Sequence, residues 1–175
     1  MGVVVKKGFK LILTHVLALA LALFLAFVFG WLISKWGFAP YSVICSLFYI
    51  GLFYSEGWNW GRLEGRKYNE IKESPLRALA ASAIPSVICA AFAAAAVFAG
   101  AGAYIVNVAV KLWYFPFVGF FAVADSVSAG EILRSGAVIP VVVTIGYYIG
   151  TKNFSVLEKI AFRKNRRKEA AKRTK

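Results

Sequence analysis

The chain has 175 residues, enough for one domain. It is 60% hydrophobic and only 17% charged, against about a quarter charged in an ordinary soluble domain, so a water-exposed globule of the usual kind is excluded. The net charge of +13 would elsewhere suggest nucleic acid, but the bases cluster beside apolar runs, so a membrane explains them and nucleic acid is set aside.

Lys6, Lys7 and Lys10 precede the apolar run 11–33. At 23 residues that run exceeds a signal-peptide core of about 7–15 and matches a bilayer span of about 20. It reads as a retained transmembrane helix. Thr14, Ala18, Ala22, Ala26 and Gly30 recur every four residues, which on a helix makes one strip of small side chains. Small strips permit close helix approach in lipid, so this one predicts a packing face; the alternative is a plain Leu/Ala anchor with an accidental period. Trp31, Trp36 and Tyr41 bracket a turn that belongs at an interface. A second span is expected over 38–55, with Ser42, Cys45, Ser46 and Tyr49 as modestly polar positions.

The stretch 56–77 is the one long polar interruption before the tail, and is expected as an inner loop. Gly57, Gly61 and Gly65 recur every four residues, and Arg62 and Arg66 share a face if the segment is helical. Arginines beside tryptophans suit a phosphate, because the guanidinium offers a two-pronged donor and the ring anchors at headgroup depth. Trp58, Trp60, Arg62, Arg66 and Asn69 are therefore the candidate partner or headgroup docking residues. Glu56, Glu64, Glu70 and Glu73 nearly balance the local bases, so the stretch reads as a mixed-charge surface. The alternative is a solvated loop with ordinary orienting arginines. Ser74-Pro75 predicts the start of the next helix, as cap and first-turn proline.

The third span, 78–100, repeats the small strip with Ala78, Ser82, Ser86, Ala90 and Ala94, and Pro85 is expected to kink it. Ser82, Ser86 and Ala90 join Ala18, Ala22, Ala26 and Gly30 as predicted packing residues. Residues 101–135 form an outer segment. Within it 104–124 is long enough to cross, but Asn107 and Lys111 lie near its middle, followed by Trp113, Tyr114, Phe115 and Pro116. A lysine at bilayer depth costs about 2.5–3.5 kcal/mol, so a re-entrant or interfacial segment is predicted instead. The fourth span is 136–150, with Pro140 and a Gly146/Gly150 pair. Residues 152–175 form a basic cytoplasmic tail, suited to anionic lipid headgroups.

Four spans with the N-terminus inside place 18 of the 21 basic residues on the inner side, leaving Lys35, Lys111 and Arg134 outside. The positive-inside rule thus predicts cytoplasmic termini. The fold class expected is all-α, a polytopic integral membrane protein of one domain.

Motifs for soluble catalysis are absent: no HExxH, GxSxG, Walker loop or GxGxxG occurs. His15 is the single histidine, read as a helix-end residue near the headgroups or, alternatively, a proton relay. Cys45 and Cys89 sit in apolar runs and form no ligand spacing. Asp125 and Glu131, six apart, fall on different helix faces and make a poor acid–base pair. No catalytic residue, metal or cofactor is assigned.

At Trp58, Gly61, Arg62, Asn69 and Pro75-Leu76-Arg77, and again at Gly146-Tyr147, Gly150, Lys152 and Leu157-Glu158-Lys159-Ile160, the chain resembles small uncharacterised multi-pass membrane proteins of Gram-positive bacteria. The resemblance covers about a third of the chain. It implies a bacterial plasma membrane and no particular activity. The function expected is a non-catalytic subunit or accessory of a membrane complex, with a protein partner or a second copy packed on its small strips and the inner loop as docking site. The alternative is a transporter or channel component acting as an oligomer.

Overall fold

The computed structural model describes residues 2–66, 73–98, 103–120 and 129–152. Asn69, Asp125 and the tail beyond Lys152 lie outside the described residues. The described residues form an all-helical polytopic membrane protein, with four helices long and apolar enough to cross a bilayer.

The first of these, α1 (Gly2–Val28), begins nine residues before the expected span, because Lys6, Lys7 and Lys10 are good helix formers and continue it downward. It breaks at Phe29, and a short α2 (Gly30–Trp36) follows. Gly37, at φ 74°, adopts the left-handed turn that a side chain disfavours and starts α3 (Phe38–Glu64). Here the structure departs from the sequence expectation. Residues 56–64, expected to open a polar loop, are the last turns of α3. α4 (Pro75–Phe98) opens on Pro75, as the Ser74-Pro75 pair predicts. α5 (Ala103–Trp113) leads into a 3-10 turn (Phe115–Phe117). α6 (Ala129–Thr151) starts seven residues before the expected fourth span, which shortens the outer segment.

Contacts fix the directions. Lys7 meets Glu64, His15 meets Tyr49, and Tyr41 donates to the Ala22 carbonyl at 2.5 Å, so α1 and α3 are antiparallel. Ser74 meets Tyr147 and Ser86 meets the Gly136 carbonyl, so α4 and α6 are antiparallel too. The helices alternate in direction, and Gly2, Glu64, Pro75 and Thr151 share one end, here termed basal.

The tightest pair, α3 and α6, is parallel and built on glycines. A Cβ at Gly57 would overlap the Val143 carbonyl oxygen; one at Gly61 would overlap that of Tyr147. Reciprocally, Gly146 faces the Tyr54 carbonyl and Gly150 that of Trp58. Two matched four-residue glycine repeats therefore interlock backbone to backbone, as small-residue pairs do in lipid. Glycine costs a helix roughly 1 kcal/mol relative to alanine, and this packing is what offsets it.

The two strips predicted from sequence are each used only in part. Ala18 and Ala22 are buried and Ala26 packs half-buried beside the Ala22/Tyr41/Cys45 cluster, but Gly30 meets nothing. On α4, Ala78 and Ser82 are buried and Ser86 is half-buried, whereas Ala90 is exposed. The buried line runs instead through Pro85, Cys89 and Ala93. A strict four-residue step drifts about 40° per repeat on a 3.6-residue helix, so a straight neighbour cannot follow it for long. The strips also meet different helices, Ala18 and Ala22 beside Cys45 and Tyr49 of α3 and Ser86 on the Gly136 carbonyl of α6, although α1 and α4 pack on each other elsewhere, at Gly8 and Ile84.

Candidate functional site

Glu64, at the basal end of α3, is 6% exposed and is the point where four helices meet. One carboxylate oxygen pairs with the Lys7 ammonium of α1. The other accepts from the Tyr147 hydroxyl of α6 at 2.6 Å and lies 3.9 Å from the Arg77 guanidinium of α4. The Tyr147 hydroxyl in turn accepts from the Ser74 backbone N–H at 2.8 Å. Lys7 also stands 4.9 Å from the centre of the Trp60 ring. One turn further along α1, Lys10 pairs with Glu56 at 2.7 Å. A buried carboxylate needs paired charge and filled lone pairs, and this arrangement supplies both.

That network changes the reading of the polar stretch. Two of its acids are paired with the lysines that precede the first span, Glu64 with Lys7 inside the bundle and Glu56 with the largely exposed Lys10 at its edge. The charges facing out from residues 56–66 are then Arg62 and Arg66. The Arg62 guanidinium lies over the Trp58 ring at 4.7 Å, and both side chains are half-buried. Arg62 Nε is out of solvent and has no hydrogen-bond partner among the described residues. Arg66 is exposed, just beyond the helix. Trp60, expected beside them, is instead 6% exposed and belongs to the core. Of the five predicted docking residues, the structure thus brings Trp58, Arg62 and Arg66 to one end of α3 and sends Trp60 inward.

A second polar locus lies at mid-helix. His15 is about 20 Å above Gly2 along a helix rising 1.5 Å per residue, so it is not the headgroup residue expected from sequence. It is 1% exposed, its Nδ1 lies 2.8 Å from the Tyr49 hydroxyl, and its ring stacks on Trp113 at 4.4 Å between centroids. Trp113 ends α5, and the chain then turns back. Phe117 packs on Tyr49 at 5.0 Å, Phe115 on Tyr41 at 5.9 Å, and the Gly119 N–H donates to Ser42 Oγ at 2.7 Å, near the start of α3. Residues 103–120 therefore enter from the apical end, reach the depth of His15 and return, the re-entrant course that the central Asn107 and Lys111 suggested. Asn107 is buried and Lys111 half-buried, while Tyr104, Ile105, Val108 and Leu112 make the exposed face of α5. Trp31 and Trp36 are exposed at the apical end, whereas Tyr41, grouped with them on sequence, is fully buried.

Sequence reasoning missed the Lys7–Glu64–Tyr147 junction. Its available signal was the pairing of Gly57/Gly61/Gly65 with Gly146/Gly150, which would have kept α3 helical to Glu64. Among the described residues, no group of three or more His, Cys, Asp or Glu side chains is placed to hold a metal ion. No protein-family model, curated protein or solved structure matches the chain.

Proposed function

We propose that this chain is a non-catalytic subunit or accessory of a plasma-membrane complex, with its basal end and both termini on the cytoplasmic side. It docks an anionic partner group through Arg62 and Arg66. The observation that supports this most directly is the pairing of Glu56 and Glu64 with lysines of α1, which leaves Arg62 and Arg66 as the outward charges of the described residues 56–66. Ala18, Ala22, Ala78 and Ser82 are already buried within the chain, which takes that part of each small strip out of association and gives the basal surface a larger share of it. Purification from mild detergent tests the reading. A stoichiometric partner that is retained by the wild type and lost from the Arg62→Ala/Arg66→Ala variant is expected. Equal retention by both refutes the docking assignment.

A second reading, a transport component, draws on the re-entrant hairpin meeting His15 at mid-depth and on Pro85 and Pro140 within spans, since broken segments line substrate paths. It requires a homo-oligomer whose thermal stability responds to a ligand, and the same preparation reports that.

A further inference from the structure

We infer that the anionic group seated on Arg62 is the phosphate of an anionic phospholipid from the basal-side leaflet. The partner proposed above would therefore dock on a lipid-filled site. This rests on the docking reading and specifies its ligand.

Depth comes first. From Phe38 to Arg62 a helix rises about 36 Å, against about 30 Å for the hydrocarbon core, so with α3 spanning, Arg62 stands at headgroup level and Trp58 one turn deeper. A lipid phosphate is thus the anion that this depth brings to Arg62. Chemistry comes second. Arg62 is held half-buried against Trp58, while the neighbouring acids face the lysines of α1. An arginine fork answers a phosphate with two parallel hydrogen bonds, and the indole ring supports the cation from below. The site lies in the last turn of α3, where the backbone presents carbonyls, so the guanidinium alone recognises the anion.

The test uses the full chain in detergent micelles. Bound lipid is counted by native mass spectrometry after titration with phosphatidylglycerol, with phosphatidylcholine, and with inorganic phosphate as competitor. The wild type is expected to hold one phosphatidylglycerol at least tenfold more tightly than phosphatidylcholine. Arg62→Ala should abolish that preference. Arg62→Lys, which keeps the charge and loses the fork, should retain part of it, and it serves as the readout should the alanine variant fail to fold. Equal binding of the two lipids by the wild type overturns the proposal, as does an unchanged preference in both variants. Displacement by millimolar phosphate overturns it in favour of a free-phosphate site. A partner that binds Arg62 in lipid-free micelles overturns it in favour of an acidic protein segment. Partner retention is followed in the same wild-type samples: no lipid preference with a partner bound sinks the lipid inference alone, and lipid preference without any partner sinks the subunit reading alone.

Discussion

Glu64 shows how one residue can be placed wrongly by local sequence and correctly by its partners. In the chain it stands among glycines, arginines and other acids, and reads as solvated. In the fold it is buried among Lys7, Arg77 and Tyr147. Removing one partner of a buried pair leaves an uncompensated charge, at about 3–5 kcal/mol. Lys7→Ala is therefore expected to lower the unfolding midpoint in detergent far more than Lys6→Ala, whose side chain is exposed. Equal effects of the two would place Lys7 outside the junction. His15 makes the same point at mid-depth. Phenylalanine there keeps a ring beside Trp113 but strands the Tyr49 hydroxyl, at about 1–3 kcal/mol, so His15→Phe should destabilise the fold and the His15→Phe/Tyr49→Phe pair should recover most of the loss. Thermal unfolding followed by tryptophan fluorescence measures both. Neither partnership was legible in the sequence, because each joins residues tens of positions apart.

At the scale of elements, hydropathy pointed to the four helices that are long and apolar enough to cross, and proline and lysine placement argued for a re-entrant or interfacial course over 104–124, of which the described part, 103–120, turns back on itself. Ends were harder. Residues 56–64 lack the hydrophobicity of a span and carry two helix-weakening glycines, so local propensity argued for a loop. What holds them helical is α6, through Gly57 and Gly61, and tertiary packing overrides propensity. Gly61→Ala tests that override. Elsewhere in a helix the change is stabilising. Here the methyl meets the Tyr147 carbonyl, and overpacking of about 1–3 kcal/mol is expected, seen as a lower midpoint than wild type. A higher midpoint would mean that α3 and α6 do not touch there. The docking residues divide for a related reason. Trp58 and Trp60, two apart, point about 200° apart on a helix, so only one can share a face with Arg62.

At the scale of the molecule, four alternating helices place Gly2 and Thr151 at one end. Tags at the two termini should therefore be reached by impermeant reagents from the same side of sealed vesicles; access from opposite sides would break the topology. The basal end combines two kinds of charge: one set spent on closing the bundle, the other free to meet a partner. Composition disclosed the excess of bases, but not which of them are occupied, since that depends on which acids the fold buries.

The most direct test of this division is a double-mutant cycle on Lys7 and Glu64, using Lys7→Met, Glu64→Gln and the pair, with unfolding free energies measured in detergent. Coupling of at least about 1 kcal/mol is expected, because each single change leaves the other charge buried. Additivity within about 0.3–0.5 kcal/mol would contradict it, returning Glu64 to the surface and restoring a charge-balanced face around Arg62 and Arg66.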